Sequence, residues 1–137
     1  MREYQEKRRL LKEQLCDEVH RMQAALDTLK FSKKKCNDLR LDESLSQESL
    51  ESLEALTSRF ARVSDILTQK VLKTIFLLLQ ERPGSFIDQT NRAEKLSIIP
   101  DAVQLQTIRE LRNEIAHEYR FQDISNLFSD VLSTQIY

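Results

Sequence analysis

Apolar side chains recur at helical intervals along almost the whole of this chain. Between positions 2 and 35 there is neither glycine nor proline, and Leu11, Leu15, Val19, Met22, Leu26 and Leu29 follow one another at spacings of four, four, three, four and three. That spacing predicts a helix with one sticky side. The stripe is narrow and its flanks are charged, so the helix is expected to lie along one partner groove rather than in the middle of a core. Asn37 to Asp42 mixes turn formers with charge and breaks the pattern. Ser44 followed by Gln47 then reads as a capping box opening a second helix, which runs to about Glu81. Its apolar positions, from Leu50, Leu53, Leu56 and Phe60 through Val63, Leu67 and Val71, broaden around Ile75–Leu79 until the helix is apolar nearly all round, and that end is expected to be the most buried. Pro83-Gly84 stops it, because proline lacks the amide and glycine accepts a helix exit with positive φ.

The remainder is shorter. Asp88 is a cap for a helix through about Lys95, Asp101 caps a helix over 101–120, and Asp123 caps a last one holding Ile124, Leu127, Phe128, Val131 and Leu132. Five helices result, and no repeat or linker divides them. The expected fold is an all-α, up-and-down bundle built on two long antiparallel helices, as a single domain over 1–137, with 1–45 as its N-terminal helix and 46–137 as the bundle core.

Composition narrows the picture. The chain has 137 residues, one Gly, two Pro and no Trp, and breakers this scarce favour helices. A formal charge of −1 does not advertise nucleic-acid binding over the whole surface, so any RNA contact must be local. Cys16 and Cys36 make no disulfide framework and no secretory leader is recognisable, which points to the cytoplasm. No run approaches a membrane span, since even Val71 to Leu79 contains Lys73. Cys16 and His20 are four apart, but with no second pair they read as ordinary helix-surface residues, and neither metal nor cofactor is expected.

The candidate chemistry lies in Arg112-Asn113-Glu114-Ile115-Ala116-His117-Glu118-Tyr119, which gathers an arginine, one of two histidines and a tyrosine. Leu105, Ile108, Leu111 and Ile115 mark the buried stripe of that helix, and Arg112 falls inside the same arc. A charge there needs a compensating acid or a second protein surface. Asp65 on the second helix is a candidate acid, and Arg59 a weaker candidate for lining a cleft.

Arg112, Asn113, His117 and Tyr119 fit the Arg-polar-x-x-x-His-x-Tyr pattern of HEPN domains, and the chain resembles in particular the HepT-like toxins encoded beside small nucleotidyltransferases. Ser58-Arg59-Phe60 to Gln80, the Pro-Gly break, Ser85-Phe86-Ile87-Asp88, Asn91 to Leu96 and Arg109 to Asn113 extend the resemblance over about residues 50–135. It implies a helical bundle that forms a homodimer, within a larger hetero-oligomer where its partner joins, so that two copies of the motif face one cleft. It also implies metal-independent RNA cleavage, in which the 2′-OH attacks the adjacent phosphate. His117 suits the proton transfers, because an imidazole titrates near physiological pH. Arg112 suits the phosphate, since its planar guanidinium presents two donors and stays charged. Asn113 can orient the scissile group, and Arg109 and Arg120 can draw RNA in. In the HepT-like branch the tyrosine corresponding to Tyr119 receives AMP from the partner nucleotidyltransferase, which silences the nuclease. Added charge and bulk in a phosphate pocket would exclude substrate.

Plainer readings stand beside these. Arg112 can form a structural ion pair with Asp65 or Glu114, and His117 alone would be a surface histidine near a helix end. Lys7-Arg8-Arg9 and Lys33-Lys34-Lys35 read as solvated helix faces. Two other functions fit the same residues: a non-catalytic, substrate-binding subunit of a nucleotidyltransferase, and a helical scaffold whose N-terminal stripe docks a partner.

Overall fold

A computed structural model describes residues 1–42, 44–82, 84–117 and 124–136, and every regular element among them is helical. Helix α1 (Arg2–Cys36) is followed by α2 (Gln47–Asp65), which passes through a π-helical turn (Ile66–Val71) into α3 (Leu72–Leu78) as one continuous rod. Three shorter helices follow, α4 (Phe86–Lys95), α5 (Ala102–Ala116) and α6 (Ile124–Ser133). With the rod counted once, the described residues form five helices and no strand.

Hydrogen bonds between helices give their directions. Cys36 Sγ donates to Ser52 O at 3.5 Å near one end of the α1–rod pair, and Arg8 Nη1 donates to Leu78 O at 3.4 Å near the other, so the two long elements are antiparallel. Gln106 Nε2 donates to Thr90 Oγ1 at 2.7 Å and the Ala102 amide to Glu94 Oε1 at 3.1 Å, which sets α4 antiparallel to α5. At the base of α5, Gln104 Nε2 donates to Gln135 O at 2.6 Å, just past the end of α6. Lys33 Nζ donates to Thr134 O at 2.8 Å and ties α1 to the same end. Helices α5 and α6 therefore lie against α2, while α3 packs against α1.

Leu53, Leu56, Phe60 and Val63 of α2 meet Leu105 and Ile108 of α5 and Val131 of α6 in the centre of the core, all fully buried. Leu29 and Cys36 of α1 join that core, whereas Leu11, Leu15, Val19, Met22 and Leu26 are half-buried along the groove of the rod. One carboxylate is buried as well. Glu18 accepts from Thr74 Oγ1 at 2.8 Å and from Gln14 Nε2 at 2.7 Å, and these bonds replace part of its lost hydration.

Several expectations are corrected. The second helix starts from Ser46, whose hydroxyl accepts the Ser49 amide at 3.1 Å, not from Ser44. Leu45 and Leu50 occupy the two positions that a hydrophobic staple pairs around a Ser46 cap, whereas a Ser44 cap would put Glu48 there. The rod ends at Leu78 rather than Glu81. Gln80 takes φ 55°, its amide bonds Leu77 O at 3.2 Å and the Glu81 amide bonds Phe76 O at 3.0 Å, a Schellman exit completed without glycine. Pro83 lies outside the described residues. The end expected to be most buried is covered on one side only: Phe76 is buried, whereas Leu77 is 58% and Leu79 50% exposed. Ser85, not Asp88, caps α4 by accepting the Asp88 amide at 3.1 Å. Asp101 caps α5 as expected, accepting from the Val103 amide at 2.9 Å, and Asp123 lies outside the described residues.

Candidate functional site

Helix α5 presents Leu105, Ile108 and Leu111 to the core, with Ile115 half-buried at its last turn. Arg112 rides on the edge of that stripe and meets α2 where the π turn begins. Its Nε donates to Asp65 Oδ1 at 2.6 Å and its Nη2 to Asp65 Oδ2 at 3.0 Å, a bidentate fork that leaves Nη1 outside the contact. The pair is not sealed, because the side chains keep 26% and 38% of their exposure. Asp65 is thus the compensating acid that an arginine on an apolar arc requires. The hydrogen bond that Arg112 donates to Asp65 raises the guanidinium pKa above its ordinary value, so the group stays charged wherever the protein is folded.

His117 does not continue the helix. Helix α5 ends at Ala116, and His117 turns out of it with φ −92° and ψ 46°, its amide held by Asn113 O at 3.0 Å. The expected helix over 101–120 is shortened accordingly, and helical angles do not place the imidazole relative to Arg112. His117, Asn113 and Glu114 are exposed. Tyr119 and Arg120 lie outside the described residues.

The two outlying arginines have other engagements. Arg109, one turn before Arg112, stacks its guanidinium 4.7 Å from the centre of the Phe86 ring, which pins α4 to α5. Arg59 Nη1 donates to Ser32 Oγ at 2.6 Å, towards α1. It is six residues from Asp65, about 120° around the helix axis, so the structure does not bring it into the Arg112 site. The basic clusters are mostly solvated helix faces, as expected: all but Lys33 are exposed, Arg9 pairs with Glu6 and Glu13 on the same helix, and only Arg8 and Lys33 reach other elements, the end of α3 and the loop after α6. Among the described residues no group of His, Cys, Asp and Glu has the makings of a metal site, and no helix is long and apolar enough to cross a membrane.

The π turn is the feature of the site that sequence reading missed. The Leu72 amide reaches Leu67 O, five residues back, and Thr68 Oγ1 donates to Ser64 O at 2.8 Å inside the widened turn. Ser64 Oγ, wholly buried one residue before Asp65, has no hydrogen-bond partner among the described residues. Widened turns of this kind are uncommon and gather at functional sites. What the fold and the site define is a class, an all-helical protein whose carboxylate-anchored arginine is about a quarter open to solvent. No protein-family model, curated protein or solved structure matches the chain.

Proposed function

We propose that the protein is a metal-independent endoribonuclease of the HEPN kind, the toxin half of a pair whose other half is a small nucleotidyltransferase. The observation that carries this reading is the Asp65–Arg112 fork. A carboxylate holds one edge of the guanidinium and leaves Nη1 beyond it, in a surface that water and a phosphate can reach. In this reading Arg112 binds the non-bridging oxygens of the scissile phosphate, and Asp65 positions it. Exposed His117 takes the proton of the 2′-OH. In a homodimer, a second copy brings its own His117 to protonate the leaving 5′-oxygen, the composite cleft that the resemblance implies. Tyr119 is the acceptor of AMP, and the modified protein is silent.

The test is cleavage of RNA by the purified chain in EDTA, with the products examined for 2′,3′-cyclic phosphate ends. Arg112→Ala and His117→Ala are each expected to slow cleavage by about 100-fold or more, and Asp65→Asn by a smaller factor, because the guanidinium keeps its place but loses its charged anchor. Expression of the chain alone halts growth, and the nucleotidyltransferase relieves the arrest only while Tyr119 is present. Intact RNA, or cleavage indifferent to Arg112 and His117, refutes the assignment.

A further inference from the structure

A groove of about 560 Å³ lies between α1 and the rod, on a different side of α2 from the Asp65–Arg112 pair. Four cations line it, Arg21 from α1 and Arg59, Arg62 and Lys70 from the rod. The last three, with Ile66 between, recur at intervals of three, four and four residues, which sets them in one row along the groove. Arg59 and Arg62 are like charges one turn apart, an arrangement that costs stability unless an anion lies between them.

Among the described residues the groove holds one acid against these four cations, in a chain whose formal charge is −1. That acid, Glu18, has both oxygens engaged by Thr74 and one also by Gln14. Arg21 shares its charge with Asp17 at 3.1 Å, but this pair is exposed and easily screened. The π turn bears directly on the groove, since Ile66 and Lys70 both lie in it and its extra residue resets the direction in which the following side chains project. Ala25 and Ile66 add an apolar flank to the cationic row.

The charge pattern also limits the length of the ligand. Beyond Arg59, towards the start of α2, the neighbouring groove sets Glu48 and Glu51 against Lys35 and Arg59, so the excess of positive charge that would hold a longer phosphate strand ends there. We propose that the α1–rod groove binds a short phosphate chain, the chemistry shared by nucleoside triphosphates and inorganic oligophosphates. This site is separate from the Arg112 site and does not depend on the ribonuclease reading.

Calorimetric titration of the full chain with ATP and with tripolyphosphate, in EDTA, tests the proposal. One saturable site per chain is expected. Arg62→Ala and Lys70→Ala should each weaken it about tenfold, while Lys7→Ala, a cation elsewhere on α1, should leave it unchanged. Thermal melts of the variants check that each is folded. Tighter binding of ATP than of tripolyphosphate identifies a nucleoside carrier, with the base against Ala25 and Ile66; equal affinity identifies the oligophosphate. Failure of both ligands to saturate at millimolar concentration overturns the proposal. So does equal weakening by Lys7→Ala, or tighter binding of an RNA oligomer through Arg62 and Lys70.

Discussion

Asp65 and Arg112 meet through two parallel hydrogen bonds, and their partial exposure sets what the contact contributes. Fully exposed pairs stabilise by about 0–1 kcal/mol, and breaking a buried one costs about 3–5 kcal/mol. A pair whose side chains keep 26% and 38% of their surface in water belongs nearer the first figure. The fork therefore matters more for where it holds the guanidinium than for stability. Cys36 shows the opposite balance. It is wholly buried, and burial pushes its thiol pKa above the ordinary 9.0, with Lys35 pulling weakly the other way. The folded state keeps a proton that the unfolded chain releases near pH 9. This contribution to stability is complete below that pH and is lost as the pH climbs towards the raised value. A thiol reagent at pH 8 should consequently label exposed Cys16 quickly and Cys36 only on unfolding. Denaturant midpoints should fall as the pH rises past 9.0 in the native protein, and by less in Cys36→Ala once its own cavity cost is subtracted. Two fast thiols in the folded protein would contradict this account.

Helix boundaries were set by details finer than hydrophobic period. Asp101 accepts two amides at the start of α5, the Gln104 amide at 3.3 Å as well as that of Val103. Asp101→Ala should therefore cost about 1 kcal/mol. Asp88→Ala, at a position where Ser85 already serves as the cap, should cost a few tenths of a kcal/mol at most through the helix dipole. Urea titration of the two variants separates them, and equal losses would refute the assignment of Ser85. The composition did contain a trace of the π turn. Val63, Leu67, Val71 and Ile75 are spaced four, four and four, and in an unbroken α-helix each such step drifts about 40° around the axis. A turn with one extra residue takes up that drift and returns the apolar face to the core. Asp65 was readable as the acid for Arg112 because an arginine on an apolar arc needs one. The release of His117 from α5 was not readable, since nothing between Arg112 and Ala116 breaks a helix by composition.

The core lies where three layers coincide, and that decides which apolar residues carry the fold. The rod is longer than the helices stacked on it: α5 and α6 cover α2, and α3 has α1 beside it. Phe60 is consequently enclosed, while Leu77 and Leu79, on the stretch richest in apolar residues, stand half or more clear of protein. Reading burial from local apolar density points to Ile75–Leu79, because density along one helix says nothing about how many neighbours reach it. Two substitutions put the difference to measurement. Phe60→Ala removes a ring from a close-packed site and should destabilise by about 3–5 kcal/mol through lost burial and the cavity left behind. Leu79→Ala removes a side chain already half in water, outside the helix itself, and should cost less than about 0.5 kcal/mol. Chemical denaturation followed by circular dichroism gives both values. A loss at Leu79 comparable with that at Phe60 would mean that another surface covers α3 in solution, and a second copy of the chain would then be the first partner to test by sedimentation.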